Sequence, residues 1–379
     1  MKLKDTGRIV LSTVRTIAPD DLMAPDDLVE AAGLPGIRLY RRDDYALLLD
    51  WSRILPAFYD GHEDGAPALL DQLIGHEQGD PLGLHTTHKL ILVCEGVGRP
   101  TGALCLNHKR GGSTKLGPLL IDRGAPHKRV VATRLFEAAL TIARLTGRRK
   151  LYGTFPRRNA GMAAVLLGVA PEAGLKEEAA FPDHFRTGVT ETVWGMHLDK
   201  PPLAVASVSS SLESGQGQAF RIGLYEDEDW GYFQSAYKVC RQWHDDADDE
   251  LPRAQVAAHW RGLAGGDHLY QRKSTRILVA RGHDGHRSGL LILTPKRGGP
   301  AKLYPLIGTA LAQEELLQTA IAEVAALGGR KLYTFAHERD ERQLAFLEAQ
   351  GFVRRGLLES PYRPGHNLVP MDRPLETRP

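Results

Sequence analysis

The feature that most constrains the fold of this chain is an internal repeat. The stretch KRGGSTKLGPLLI begins at Lys109, and KRGGPAKLYPLIG begins at Lys296, 187 residues later (296 − 109). A second pair, GRRKLYGTF from Gly147 and GGRKLYTF from Gly328, is offset by 181 residues when the lysines before Leu-Tyr are compared (331 − 150). Two separate similarities at a nearly constant offset predict a duplicated domain.

A stretch rich in Pro, Ser and Gly separates the two copies. Residues 199–218 lack a helical or strand period, which is typical of a linker. Residues 1–36 have no counterpart in the second half and form an N-terminal extension. The sequence therefore predicts a first domain over 37–198 and a second over 219–379, each long enough to bury its own core.

Each copy has the same order of predicted elements. After an initial strand and helical segments come three apolar runs separated by Gly-rich turns, which predict consecutive antiparallel strands. A long amphipathic helix, a strand, a second helix and two closing strands follow. In the first copy the apolar face of the long helix contains Val131, Leu135, Ala138, Ala139, Ile142 and Leu145. This order predicts an α+β fold of mixed α/β layers, with a mostly antiparallel central sheet flanked by helices in each domain.

The composition is that of an ordinary globular protein. The net charge is only +2, with 42% hydrophobic and 25% charged residues, so the chain is not a polycation. No apolar run reaches the length of a bilayer crossing, and the N-terminal MKLKDTGRIV does not have the pattern of a signal peptide. Cys94, Cys105 and Cys240 lack the spacing of a disulfide framework. We therefore expect a cytoplasmic protein with reduced thiols and no membrane partner.

The end of each copy resembles the GNAT superfamily of acyltransferases. The stretches APEAGLKEEAAFPDHFRTGVTETVWGMHL and LEAQGFVRRGLLESPYRPGHNLVPMDRPL both leave a helix through a glycine turn, at Gly174 or Gly351. Each then runs through a strand and a polar turn into a final strand that contains Met196 or Met371. The resemblance covers nearly all of both predicted domains, and it implies a tandem pair of GNAT-like domains and an acyltransferase activity.

The resemblance implies an acyl-CoA donor, with acetyl-CoA expected. In the family, backbone amides at the start of the long helix hold the donor's pyrophosphate, in a loop of pattern Q/R-x-x-G-x-G/A. In the first copy Ala132 fits this pattern, His127 stands in the leading polar position, and Val130 replaces the glycine. The basic side chains of His127, Lys128 and Arg129 would attract phosphate directly. An ordinary helix start with a solvated basic turn accounts for the same residues equally well.

Further donor contacts are predicted on the neighbouring elements of the first copy. The backbone amides of Leu119, Leu120 and Ile121, on the strand before the long helix, would polarise the carbonyl of a thioester. Asn159, at the start of the next helix, completes the predicted donor-binding set.

The catalytic residues are less defined than the donor loop. The family often uses a tyrosine on its last helix as the acid that protonates the leaving thiolate. The corresponding places are Leu166 in the first copy and Leu347 in the second, and neither is tyrosine. Asp122 and His108, each at the end of a strand, are the candidate catalytic residues, although surface-turn roles fit them as well. Catalysis by positioning alone also stays open.

The second copy departs further from the family's donor loop. Its helix start reads Thr309 to Gln313 with no glycine after Gly308. Glu314 and Glu315 follow, and in the first turn of the helix they would repel a pyrophosphate. The first domain is therefore predicted to bind the donor, and the second to be degenerate or to shape the acceptor site.

Both copies carry an acidic segment between their early helices. These segments read YDGHEDG and WHDDADDE, and the resemblance places the acceptor site in this region. A cationic small-molecule amine is the acceptor that such charge would attract, although a polar loop between helices accounts for it too. The candidate contacts are Asp60, Asp64, Asp245 and Asp246. His62 and His244 do not match a metal-ligand spacing, so no metal is predicted.

Three functions follow from these features. The first is an N-acyltransferase that moves an acyl group from acyl-CoA to an amine. The second is an amide-forming transferase of the same fold that takes an aminoacyl group from tRNA in a specialised biosynthetic pathway. The missing glycines and the repeated basic turns favour this second function, whereas the near-neutral net charge does not. The third is a non-catalytic binding protein, which the missing tyrosine favours. The oligomeric state does not follow from the sequence.

Overall fold

The computed structural model describes residues 28–30, 32–53, 70, 86–157, 159–169, 174–198, 220–241, 275–296 and 298–375. Within these residues the chain forms two seven-stranded sheets. The first contains β1 (Ile37–Leu39), β2 (Thr86–Glu95), β3 (Pro100–Lys109), β4 (Ser113–Ile121), β5 (Lys150–Pro156), β6 (Lys176–Phe181) and β7 (Glu191–His197). The second contains β8 (Arg221–Leu224), β9 (Arg276–Arg281), β10 (Arg287–Pro295), β11 (Pro300–Gly308), β12 (Lys331–His337), β13 (Val353–Arg354) and β14 (Leu368–Pro374).

The described helices flank these sheets. They are α1 (Tyr45–Ser52), α2 (Lys128–Leu145), α3 (Ala160–Val169), α4 (Trp230–Arg241), α5 (Ala310–Ala326) and α6 (Glu341–Ala349). None of them combines the length and the hydrophobicity that a membrane crossing requires.

The two sheets have the same strand order. The first runs β1-β2-β3-β4-β5-β7-β6, and the second runs β8-β9-β10-β11-β12-β14-β13. The strand pairs are antiparallel except for β4 with β5 and β11 with β12, which are parallel. A parallel pair needs a crossover connection, which α2 provides in the first sheet and α5 in the second. The predicted α+β fold with two similar, mostly antiparallel domains is confirmed.

The middle strands of the first sheet are buried on both faces. Leu90 and Leu92 of β2 face the core beneath α2, whereas Ile91 and Val93 face the core beneath α1. This alternation is the period of two that a strand imposes on its side chains. The predicted apolar face of α2 packs on the first of these cores, with Leu135 completely buried. Gly147, at a φ of 63°, has the left-handed conformation that commonly ends a helix.

The repeated KRGG motifs form the β3–β4 and β10–β11 hairpin turns. Both glycines of each turn have left-handed φ angles, for example 77° at Gly111 and 80° at Gly298, which only glycine adopts at little cost. The guanidinium of Arg149 donates to the Gly111 carbonyl at 2.7 Å, and that of Arg330 donates to the Gly298 carbonyl at 2.6 Å. The two repeated stretches therefore contact each other within each domain, which accounts for their joint presence in both copies.

The Arg-Lys pair that begins β5 also reaches into the second domain. Arg149 donates to the carbonyl of Ser360 at 2.8 Å and to that of Tyr362. The ammonium of Lys150 is completely buried, forms an ion pair with Glu178 at 2.6 Å and donates to the carbonyl of Glu359. Both residues thus bind the segment that connects β13 to β14.

The corresponding pair at the start of β12 makes the reciprocal contacts. Arg330 donates to the hydroxyl of Thr187 at 3.1 Å, and Lys331 donates to the carbonyl of Pro182. Lys331 forms its own buried ion pair with Asp372 at 2.6 Å. Each domain therefore binds, through the same repeated residues, the segment between the last two strands of the other domain.

The last strand pair of the second domain departs from the sequence-based prediction. The strand predicted after the Gly351 turn is short, because β13 contains only Val353 and Arg354. Gly356, at a φ of 144°, breaks the strand, and the chain beyond it pairs with β6 of the first domain. The amide of Leu357 donates to Glu178 and that of Ala180 to Arg355, at 2.8 and 2.9 Å. The edge of the first sheet is thereby covered by the second domain.

Several predicted features lie outside the described residues. The linker 199–218 and most of the extension 1–36 are among them, so the domain boundaries stay a prediction. Of the extension, residues 28–30 and 32–36 are described, and Leu28 and Val29 pack into the core of the first domain. Cys94 and Cys105 are buried thiols.

The contact that Gly356 makes with β6 of the first domain can be tested by substitution. A Cβ at Gly356 would collide with the Glu178 carbonyl, so Gly356→Ala should lower the free energy of unfolding by more than about 3 kcal/mol. Gly285→Ala is the matched control, because Gly285 also has a left-handed φ of 77° but no atom within 4 Å of its Cβ position; we expect a loss of about 1 kcal/mol there. Urea unfolding measures both values. Equal losses would contradict a tight contact between the domains at Gly356.

Candidate donor-binding site

The start of α2 is open to solvent in the first domain. His127, Lys128, Arg129 and Val130 are exposed, and the first turn of the helix contains no acidic residue. The side chain of His127 makes no capping hydrogen bond, so no side chain satisfies the first amides of the helix from that position. An uncapped helix start surrounded by basic side chains is suited to bind an anion.

The strand that precedes this helix has an open edge at its end. β4 pairs with β5 only over Ser113–Leu116, and beyond that point the described partners of β4 are on β3. Leu119 and Ile121 therefore lie where the two parallel strands diverge, and Leu120 faces the opposite core. Backbone amides on this edge of β4 have no strand partner among the described residues.

The open strand edge and the open helix start are close together. Val131, in the first turn of α2, packs over Gly102 of β3, where a Cβ would lie 2.6 Å from a Val131 methyl group. Gly102 is paired with Ile121, the last residue of β4. The missing side chain at Gly102 thus lets the start of α2 approach the end of β4, and it brings together two of the predicted groups of donor contacts. Ala132, also predicted, is buried beneath the helix, and Asn159 is exposed just before α3.

The two candidate catalytic residues are far apart. Asp122 directly follows Ile121, at the end of β4 that adjoins the open site. His108 lies on β3 six residues beyond Gly102, the partner of Ile121, which is roughly 20 Å along the strand. The two residues therefore cannot act on the same reacting atom.

The surroundings of these two residues also differ. His108 is completely buried, and its Nδ1 lies 2.8 Å from the hydroxyl of Thr114. Asp122 accepts from Arg99 at 2.6 Å and from the amide of Gly124 at 2.9 Å, so both of its carboxylate oxygens are engaged in the turn after β4. Of the two, Asp122 alone adjoins the predicted donor site, and the catalytic role of both stays a prediction.

The equivalent helix start in the second domain is closed. The hydroxyl of Thr309 accepts from the amide of Ala312 at 3.3 Å, and the amide side chain of Gln313 donates to the Gly308 carbonyl at 2.9 Å. α5 begins at Ala310, so Glu314 and Glu315 lie in its second turn rather than in its first as predicted. The side-chain cap, more than the acidic pair, distinguishes this helix start from that of α2.

The structure does not describe the four predicted acceptor contacts. Asp60, Asp64, Asp245 and Asp246 all lie outside the described residues, so their role stays a prediction.

The lysines of the repeated motif form a basic cluster that sequence reasoning missed. Burial, followed by the nearby charges of Lys115 and Lys89, lowers the pKa of Lys109 to about 7, and Lys302 of the second domain acts in the same direction. The ammonium of Lys302 lies 4.9 Å from the centroid of the Tyr304 ring. Lys109, Lys115 and Lys302 belong to the stretches that recur in both copies, and this recurrence was the available sequence signal of a shared role.

The difference between the two helix starts can be measured. Thr309→Ala removes the cap of α5 and should lower the free energy of unfolding by about 1 kcal/mol. His127→Ala, at the same position of α2, should change it much less, because the His127 side chain makes no capping hydrogen bond. Denaturant unfolding of the two variants provides the comparison. A loss at His127 as large as that at Thr309 would show that the first helix start is capped as well.

No family model and no curated protein sequence matches this chain. Several solved structures are similar to it. A tandem GNAT protein from the clavulanic acid biosynthesis pathway is 15% identical, covers 90% of this chain and 99% of its own, and has a TM-score of 0.48. A GNAT superfamily phosphinothricin acetyltransferase from Sinorhizobium meliloti, in complex with AcCoA, is 16% identical over 41% of this chain and 88% of its own, with a TM-score of 0.34. The aminoglycoside 6'-N-acetyltransferase from Enterococcus faecium is 12% identical over 44% and 98%, with a TM-score of 0.32. Two of these structures are of GNAT proteins, the family that the closing motifs of this chain resemble.

Proposed function

We propose that this protein is an N-acyltransferase that moves an acyl group from acyl-CoA, with acetyl-CoA as the expected donor, to the amine of a small molecule. The first domain binds the donor, and the second domain supports it or shapes the acceptor site. The observation that carries the proposal is the contrast between the two helix starts: that of α2 is uncapped, basic and exposed, whereas that of α5 is capped by its own threonine.

The donor would lie along the open edge of β4. Its pyrophosphate would accept from the first amides of α2, with Lys128 and Arg129 adding charge, as anions bind at helix starts. Its extended arm would enter between the diverging ends of β4 and β5. This placement brings the thioester carbonyl to the amides of Leu119 and Ile121, where hydrogen bonds stabilise the charge that develops on the oxygen. The amide of Leu120 faces β3, because the Asp122 amide two residues later donates to Thr101 of that strand.

Transfer then requires a neutral amine to attack the thioester carbonyl. The C–N bond forms and the C–S bond breaks, the amine loses a proton, and the departing thiolate gains one. Asp122 adjoins the end of β4 and is the proposed acceptor of the amine proton, through the second lone pair of an oxygen that Arg99 or the Gly124 amide already binds. The proton then leaves through the water-exposed cleft. Holding the two reactants in line supplies much of the rate, as in other reactions made effectively intramolecular.

A second donor, an aminoacyl-tRNA, is favoured by one observation. Val130 stands where the resembled loop has glycine, and its side chain is 56% exposed at the helix start, where it would limit the approach of a pyrophosphate to the backbone. Binding of charged tRNA that weakens steeply with added salt would support this donor.

The proposed donor site can be tested by charge reversal at Arg129. Arg129→Glu places a carboxylate beside the pyrophosphate and should weaken acetyl-CoA binding about tenfold or more, the value of a lost charge-assisted hydrogen bond. Arg342→Glu is the matched control, because Arg342 is also an exposed arginine at the second position of a helix, α6 of the second domain. Isothermal titration calorimetry measures both affinities.

Two outcomes would contradict the proposal. The first is equal weakening in the two variants, which would mean that the donor is not held at α2. The second is the absence of any heat or thermal shift with millimolar acetyl-CoA on the unmodified protein. Binding without turnover of any amine would instead favour the non-catalytic binding protein.

A further inference from the structure

Three side chains of types that can bind a metal ion, contributed by both domains, meet at the domain interface. Glu178 is on β6 and His197 ends β7, while Glu359 belongs to the second domain, between β13 and β14. One ligand atom from each residue lies within 4.8 Å of the other two. The His197 Nε2 and Glu359 Oε2 atoms are 3.6 Å apart.

Each carboxylate has one oxygen bound by a lysine. Lys150 binds Oε1 of Glu178 at 2.6 Å, and Lys176 binds Oε1 of Glu359. The second oxygen of Glu359 is the one nearest His197. The lysines therefore hold the two carboxylates while leaving an oxygen of each available to another partner.

Two buried atoms of this cluster have no hydrogen-bond partner. They are Oε2 of Glu178, whose side chain is 1% exposed, and Nε2 of His197, whose side chain is 9% exposed. Buried polar atoms in native proteins are nearly always satisfied, so an unpartnered oxygen and an unpartnered nitrogen in one cluster indicate a missing partner. A metal cation is a partner that can accept electron pairs from both, and from Glu359 as well.

We propose that Glu178, His197 and Glu359 bind a divalent cation of the zinc type, with water in the fourth position. Carboxylate oxygen and imidazole nitrogen are ordinary zinc ligands, and in a tetrahedral site with bonds of about 2.0–2.1 Å the ligand atoms lie ~3.4 Å apart. The pair from His197 and Glu359 already has nearly this spacing. The ligand atom of Glu178 lies within 4.8 Å of both, so closing the site requires it to move inward by about 1.4 Å at most. Lys150 and Lys176 hydrogen-bond the two ligating carboxylates from outside the site and hold them in place.

The lysines also limit the affinity of the site. Their charges already balance the two carboxylates, so a cation adds net positive charge to a buried region. The site is therefore structural and of moderate affinity rather than a catalytic centre. Its ligands come from three places in the chain that no sequence spacing connects, and this is why sequence analysis predicts no metal here.

The proposed site would couple the two domains. The carbonyl of Glu178 accepts from the amide of Leu357, next to Gly356, and Glu359 follows two residues later. A cation held by both domains would close the same contact that the Arg-Lys pairs make. This inference does not depend on the proposed acyl transfer.

The test uses the full chain, stripped with EDTA and then titrated with zinc chloride. We expect one equivalent of zinc per chain by calorimetry and a rise of several degrees in the unfolding midpoint. His197→Gln removes one ligand at similar size and should abolish both effects. His283→Gln is the matched control, because His283 is an exposed histidine of the β9–β10 turn far in sequence from the cluster.

A second variant and a second readout keep the test decisive if His197→Gln does not fold. Glu359→Gln keeps the side-chain shape at the more exposed ligand and should weaken zinc binding at least tenfold. Cobalt added to the stripped unmodified protein should show the absorption of a tetrahedral ion. The proposal is overturned by a protein that binds no zinc or cobalt, or by His197→Gln and Glu359→Gln variants that bind zinc as the His283→Gln control does.

Discussion

The arrangement of the two domains depends on two buried lysines at equivalent positions. Lys150 and Lys331 each begin the strand after the long helix, and each forms an ion pair within its own domain, with Glu178 or Asp372. Such charges are tolerated in an interior only when their remaining hydrogen bonds are satisfied. In both cases the remaining partner is a backbone carbonyl of the other domain. Neither domain satisfies its own lysine completely, so the pairing of domains is part of what stabilises each of them.

The duplicated scaffold has kept this contact while the helix starts have diverged. α2 begins without a side-chain cap beneath exposed basic residues, and α5 begins with Thr309 as its cap. A capping side chain and a bound anion compete for the same amides, so the two arrangements suit different tasks. Under the proposed function, this difference would let the first domain hold the donor while the second covers the sheet edge of the first.

Local pattern was sufficient to predict most of the fold. Turn glycines and the apolar stripe of α2 are short-range signals, and the repeat is visible by comparing two stretches of the sequence directly. The elements that these signals predicted are present. Features that depend on tertiary contact were missed: the break at Gly356 exists because the chain leaves its own sheet for β6 of the other domain. The separation of Asp122 from His108 was missed for the same reason. The sequence shows that each residue ends a strand, but it does not show that the two strand ends lie at opposite ends of the sheet. The cluster of Glu178, His197 and Glu359 was also missed, because no regular sequence spacing connects these three residues.

Amide hydrogen exchange with and without acetyl-CoA tests the central claim most directly, because it reports on the backbone groups that are proposed to bind the donor. Acetyl-CoA should slow exchange in peptides that contain residues 119–121 and 128–132, and leave the equivalent peptide around 310–313 of the second domain unchanged. Protection confined to the second domain, or no protection in either, would contradict the assignment of the donor to the open helix start of the first domain.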